Sequence, residues 1–236
     1  MTRENKIRQA FIVAFPYTVP ILAGFVFLGI AYGIYMNASG FPAIYPILMG
    51  ATIFAGSMEF VTVNLLLGMF DPLGAFLLTL MVNARHLFYG ISMLDKYNGT
   101  GRKKYYLIFG MCDESFSINC TTNIPEGVDK GWFMFFVTLL NHIYWVCGAA
   151  LGAFLGPFVR FSTEGISFVM TALFVVIFLE QWMKETVHYS ALIGLGITVL
   201  SLVIFGRENF IIPAMLMILF CLTIMRKPLE RMGGGE

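Results

Sequence analysis

Charge is scarce in this sequence: only 12% of its 236 residues are Asp, Glu, Lys or Arg, about half the share of an average soluble domain. With 58% of residues hydrophobic, no soluble fold of this size could hide the apolar surface. Strict polar–apolar alternation is also missing, which excludes a lipid-facing β-barrel. The four cysteines, Cys112, Cys120, Cys147 and Cys221, include no C-x-x-C pair and read as buried free thiols rather than a redox or zinc site. No H-E-x-x-H, G-x-S-x-G or paired-histidine pattern occurs, so neither a metal nor another cofactor is called for. Net charge is +1 and the basic residues do not gather in one patch, which argues against nucleic acid as a partner and leaves the lipid bilayer as the natural surrounding.

Apolar runs are what the chain does have. Mean hydropathy is +0.79, 24 residues are phenylalanine, and the runs approach the roughly 20 residues that cross a bilayer as a helix. The expectation is an all-α, polytopic membrane protein with about seven to eight transmembrane or re-entrant helices, some interrupted near a polar site at mid-membrane depth. One integral membrane domain is expected over residues 1–236, with residues 1–10 a cytoplasmic segment carrying Arg3, Lys6 and Arg8, and residues 232–236 a flexible tail. The first run is too long for a signal peptide and lacks a clear cleavage site.

In chain order, the first span covers residues 11–36, with a kink or break expected at Pro16 or Pro20 and with Gly29 and Gly33 spaced for close helix contact. The second span, residues 42–68, is rich in small residues around Ala55 and can approach a neighbour or unwind. The third covers residues 73–94. Residues 105–122 could span or be re-entrant. Residues 132–156 form a clear span in which Gly148, Gly152 and Gly156 repeat the packing spacing. Three more apolar segments follow, over residues 165–182, 186–205 and 210–225. Glu180 and Glu185 read as solvated, and His142 and His188 as lone interior histidines. Topology pulls two ways: basic termini favour eight spans with both ends inside, whereas the basic loop at residues 95–104 is internal only if residues 105–122 are re-entrant.

The costly residues lie inside these runs. An arginine at the centre of a membrane helix costs roughly 2.5 to 3.5 kcal/mol on insertion scales, so Arg85 must face protein or water and find a partner. At 1.5 Å per residue, Glu59 and Arg85 fall about 6 Å and about 4 Å from the middles of their spans, on opposite sides. Asp113 and Glu114 sit at the centre of theirs, so three carboxyl groups share a slab with one arginine and favour bound protons or a bound cation. On a continuous helix, Asn83, His86 and Gly90 share one face, while Arg85 and Tyr89 share nearly the opposite one. An amino acid suits such a site. Its carboxylate would take Arg85 and its ammonium Glu59, Asp113 or Glu114, with Ser57, Asn83, His86, Tyr89 and Ser115 nearby and Phe54, Phe60, Phe88 or Phe116 forming an apolar pocket.

Three blocks carry a family resemblance: Phe54-Ala55-Gly56-Ser57-Met58-Glu59-Phe60, then Asn83-Ala84-Arg85-His86-Leu87-Phe88-Tyr89-Gly90, then Cys112-Asp113-Glu114-Ser115-Phe116. In order and spacing they resemble the AzlC family of branched-chain amino acid permeases, over residues 20–156. The resemblance implies export of branched-chain amino acids, a small AzlD-type membrane subunit as partner, and a bacterial inner membrane. Glu59 departs from the pattern, since many members carry glutamine there. Two other readings stay open: an intramembrane enzyme using His86 with Asp113, Glu114 or Glu59, and a structural or channel subunit whose buried charges serve assembly.

Overall fold

The structure is a computed structural model of the chain; it describes residues 3–83, 85–158 and 188–225, with Val175, Phe178, Leu179, Trp182 and Met183. Every described element is helical. Two compact units form, Met1–Thr163 and Glu164–Glu236. Among the described residues three helices are long and apolar enough to cross a membrane, or four if one bent pair counts as a span.

The first unit is built on two long helices, α1 (Arg3–Ala38) and α8 (Lys130–Leu155). They run parallel and stay in register. Ala10 and Ala14 cluster with Phe133, Met134 and Val137, Thr18 meets the Tyr144 hydroxyl at 3.1 Å, and Gly156 lies against Asn37. Small residues make this possible, because apolar side chains gain nothing over lipid and close backbone approach supplies the attraction. A Cβ at Gly29 would sit 2.9 Å from Gly148 Cα, and one at Gly148 would sit 2.8 Å from the Val26 carbonyl. Pro16 and Pro20 do not break α1, which remains one helix through both. Thr18 lies between them, donates to the Phe15 carbonyl at 2.9 Å and ties that turn to α8.

Shorter helices occupy the space beside this pair. Helices α2 (Ile44–Thr52) and α3 (Gly56–Leu67) are separated by residues 53–55. The outer parts of both lie at the carboxy-terminal end of α1: Tyr32 reaches Met49 Sδ at 3.4 Å and Tyr35 donates to Asn64 Oδ1 at 3.2 Å. Their junction lies deeper, with the Phe54 ring 6.4 Å from Phe25. The segment enters and returns on one side. Sequence expectation makes it a second span; the contacts make it a hairpin, and composition cannot tell the two apart because half a span is as apolar as a whole one.

Helix α4 (Pro72–Val82) and helix α5 (Arg85–Tyr97) follow as a pair bent by 52°. The far end of α5 joins Ala10, Ala14 and Phe133 through Met93 and Tyr97, so this segment passes from one end of the bundle to the other. Helices α6 (Lys103–Phe109) and α7 (Asp113–Thr121) then form a second hairpin from the opposite side. Lys103 lies over the Trp132 ring at 4.6 Å, near the start of α8, Gly110 packs on Thr138 deeper in, and α7 returns. The return is fixed against α5 by a ladder of Arg85–Asp113 at 2.6 Å, Tyr89 stacked on Phe116 at 4.3 Å, and Lys96 donating to the Cys120 carbonyl. At 1.5 Å per residue the four hairpin helices measure about 10 to 18 Å, well short of the roughly 30 Å hydrocarbon core.

With residues 103–121 dipping in and returning, the start of α1 and the basic loop after α5 lie at the same end of the bundle. The second unit contains α9 (Tyr189–Asn209), with a kink at Gly206 where φ is +72°, and α10 (Ile211–Ile224). His188 contacts the Trp182 carbonyl at 2.8 Å. Glu180, Glu185, the terminal tail and most of the 165–182 segment lie outside the described residues. Cys147 is exposed, not buried as expected, and the other three cysteines are partly covered and free.

Candidate functional site

The two hairpin tips meet in the middle of the first unit: a Cβ on Gly110 would lie 3.9 Å from the Phe54 ring. Phe54 has φ of +47°, the only positive value at a non-glycine among the described residues. Such a conformation persists only when its surroundings enforce it. Here two side chains of α8 enforce it. His142 stacks on the Phe54 ring at 4.4 Å, donates from Nε2 to the Gly50 carbonyl at 3.1 Å and accepts the Tyr106 hydroxyl at Nδ1 at 2.9 Å. The Gly50 carbonyl is in the last turn of α2, where helices run out of their own donors. Trp145 lies along both sides of the break, since a Cβ on Gly50 would meet its ring at 3.4 Å and one on Gly56 at 2.8 Å. The small residues around Ala55 thus make room for an indole.

Glu59 completes this tip. It is fully buried, accepts the Ala55 amide at 3.0 Å, and receives the Trp145 indole N–H on both carboxylate oxygens at 3.1 Å. A carboxylate in the first turn of α3 also suits the positive end of the helix dipole. Among the described residues no cation pairs with it.

The second tip carries the ion pair. Arg85 opens α5 and Asp113 opens α7. The dipole favours the aspartate and opposes the arginine, so Asp113 is what makes a guanidinium tolerable at that helix start. The pair is one-third exposed, at 33% and 29%, and not saturated: Arg85 Nε and Asp113 Oδ1 are buried without a hydrogen-bond partner. On the α8 side of the same tip, Asn141 donates to Ser115 Oγ at 3.2 Å, while Asn141 Oδ1 and Thr138 Oγ1 are buried and unpartnered.

The candidate residues therefore divide. Arg85, His86, Tyr89, Asp113, Ser115 and Phe116 gather around the second tip, with the His86 and Tyr89 rings 5.6 Å apart. Glu114 is partly buried and engaged. Asn83 closes the α4 side of the break, its carbonyl accepting the His86 amide at 2.9 Å. Glu59, Phe54 and Phe60 belong to the first tip, Phe60 being buried against Tyr32 and Tyr35, and Ser57 is partly buried there. The expectation that three carboxyl groups face one arginine is corrected: Glu59 faces Trp145. The continuous helix behind the helical wheel is broken, since α4 ends at Val82 and α5 begins at Arg85, while His86 still meets the Asn83 carbonyl, with Nδ1 at 3.3 Å. The Phe88 side chain lies outside the described residues.

On the α8 side of the site, sequence reading takes His142 as a lone interior histidine and passes over Thr138 and Trp145. Thr138, Asn141, His142 and Trp145 follow the i, i+3, i+4, i+7 pattern of one helix face, and each touches a hairpin: Gly110, Ser115, Gly50 and Glu59 respectively. A polar stripe inside an apolar helix is the signal that could have found them.

Opposed hairpins, a bent helix pair and a polar centre belong to an all-helical chain that has, among the described residues, three or four helices long and apolar enough to cross a membrane. The chain belongs to the AzlC protein family, which matches over residues 20–159. It is 70% identical over 231 residues to the branched-chain amino acid transport protein AzlC of Bacillus subtilis, covering 98% of this chain and 91% of that one. A Haemophilus influenzae protein described as an uncharacterized membrane protein is 52% identical, covering 96% and 93% of the two chains. The inner membrane protein YgaZ of Escherichia coli is 24% identical, covering 78% and 80%. No solved structure matches.

Proposed function

We propose that this chain is the large subunit of a transporter that exports branched-chain or similar apolar amino acids across a bacterial inner membrane, coupled to protons and working with a small AzlD-type membrane subunit. The observation that carries the reading is the Arg85–Asp113 pair at the meeting point of the broken helices, with Arg85 Nε and Asp113 Oδ1 unpartnered. An amino acid is the charge complement of an ion pair. Its carboxylate takes the guanidinium and its ammonium the aspartate, so a zwitterion enters without leaving either charge unmatched. Phe116 and Tyr89, stacked beside the pair, offer the apolar wall for a branched side chain.

The names carried by the Bacillus and Escherichia relatives support the substrate class and the membrane. Orientation follows from charge. Lys6 and Arg8 begin α1 and Lys96, Arg102, Lys103 and Lys104 surround the loop after α5, at the same end of the bundle; the positive-inside rule makes that end cytoplasmic. In this reading α1, α4–α5 and α8 cross the membrane, while α2–α3 enters from outside and α6–α7 from the cytoplasm.

The test is efflux of leucine, isoleucine and valine from preloaded proteoliposomes, with the chain alone and with its small partner, under an imposed pH gradient. Substrate-specific, gradient-dependent flux is expected. Absence of flux in both preparations would overturn the reading for these substrates.

A further inference from the structure

We infer that Glu59 is the site of the coupling proton, and that the first hairpin, clamped to α8 through Trp145, is the gate this proton operates. The inference deepens the transport reading and rests on it for the word coupling, but the clamp itself can be tested without any substrate.

The geometry separates two carboxyl sites. Asp113 is engaged by a guanidinium at 2.6 Å, so its charge is committed to Arg85 or to whatever replaces Arg85. Glu59 has two N–H donors, from Ala55 and Trp145, for about four lone-pair sites. Its surroundings are otherwise aromatic. Tyr32 and Phe60 lie on α1 and α3 with rings 5.3 Å apart, and Tyr32 stacks on the Trp145 ring at 6.0 Å. The titratable groups facing it are Tyr32 from α1 and His142, one turn before Trp145 on α8; His142 is turned to Gly50 and Tyr106. A fully buried carboxyl with donors but no cation is a place to put a proton.

Protonation changes the bonding at this spot. A proton from water on one side of the membrane adds to Oε2 and makes it a donor. Trp145 N–H then keeps Oε1 alone, and the new O–H seeks an acceptor where none is offered by the indole. The clamp loosens at the residue that also caps the Ala55 amide, directly after the strained Phe54. Loss of the same proton to the other side restores the two-oxygen bond. The cycle carries one proton and moves the hairpin whose tip touches the second tip at Gly110.

Trp145 reports on this directly, because the sequence has three tryptophans and the other two, Trp132 and Trp182, can be changed. In the Trp132→Phe, Trp182→Phe chain, reconstituted in nanodiscs without substrate, Trp145 emission is expected to follow a single titration. Glu59→Gln, which keeps an accepting oxygen and nearly the same shape, is expected to abolish that titration while leaving the folded protein intact. In proteoliposomes the same variant is expected to lose leucine-driven proton movement, and the dependence of leucine flux on the imposed pH gradient, by at least tenfold. A Trp145 titration unchanged in Glu59→Gln, or undiminished proton movement, overturns the inference. Absence of leucine flux in the unaltered chain would instead remove the transport reading, leaving the substrate-free titration to decide whether Glu59 and Trp145 form a proton-sensitive clamp.

Discussion

Asp113 Oδ2 lies 2.6 Å from Arg85 Nη1, and each residue begins a half-helix. Two helix starts whose positive ends would repel are thus held together by Asp113, which offsets both its own helix start and the guanidinium of Arg85. Arg85→Lys keeps the charge but loses the planar fork. Folded protein is expected to be retained, while KM for leucine rises on the order of tenfold to hundredfold, the worth of a charge-assisted hydrogen bond of about 1.5 to 3 kcal/mol. Arg85→Ala leaves Asp113 uncompensated and should lower the yield of monodisperse protein, with Asp113→Asn in the same chain restoring yield but not transport. Equal KM for Arg85→Lys and the unaltered chain would confine the pair to a structural role.

The contact between α1 and α8 gives a second prediction. Gly33 faces Ala149, Gly152 and Ala153 with no room for a side chain. Gly33→Leu has to force the helices apart, at a cost of at least about 1 to 3 kcal/mol for overpacking, and thermal unfolding in detergent should show a clear loss. Gly24 has nothing within 4 Å of an added Cβ. Gly24→Ala should therefore be neutral or slightly stabilising, by about 0.5 to 1 kcal/mol from helix propensity.

Much of this site is legible in the residues themselves. The three sequence blocks are the three helix breaks, and their cost in lipid announces that they face inward. The glycine spacings in α1 and α8 announce the contact those helices make. What the residues do not carry is direction. A hairpin that dips and returns has the same apolar composition as a crossing helix, so residues 42–68 read as a span, and Glu59 takes a depth measured from the centre of a helix that is broken. Its partner Trp145 lies 86 positions away, and no local pattern pairs them. His142 reads as a lone interior histidine because its partners Gly50 and Tyr106 are likewise remote.

That histidine supports the third prediction. His142→Phe keeps an aromatic ring against Phe54 but removes the donor to Gly50 and the acceptor for Tyr106. Leaving a buried carbonyl unmatched costs about 1 to 3 kcal/mol, so the variant should unfold at lower temperature. It should also free the hairpin tip, seen as faster modification of a cysteine placed at Ser57 by a membrane-permeant maleimide in a chain otherwise without cysteine. Unchanged modification would mean that Trp145 alone holds the tip.

Thr138 separates a structural from a binding role with one atom. Its hydroxyl is buried and unpartnered, on the α8 turn that faces Gly110 and precedes Asn141. A hydroxyl held that way costs stability unless something else uses it. Thr138→Val removes the oxygen and keeps the branched shape, so the substrate-free protein should be as stable as before or more stable. If the oxygen serves an ammonium, leucine should then bind more weakly by roughly tenfold, about 1.4 kcal/mol, while 4-methyl-2-oxopentanoate, which has the same side chain without the ammonium, should bind no worse than before. Thermal shift in the presence of each ligand measures all three quantities. An equal loss for both ligands would assign the hydroxyl to the carboxylate or to the hairpin, and no loss for either would leave Thr138 outside the site.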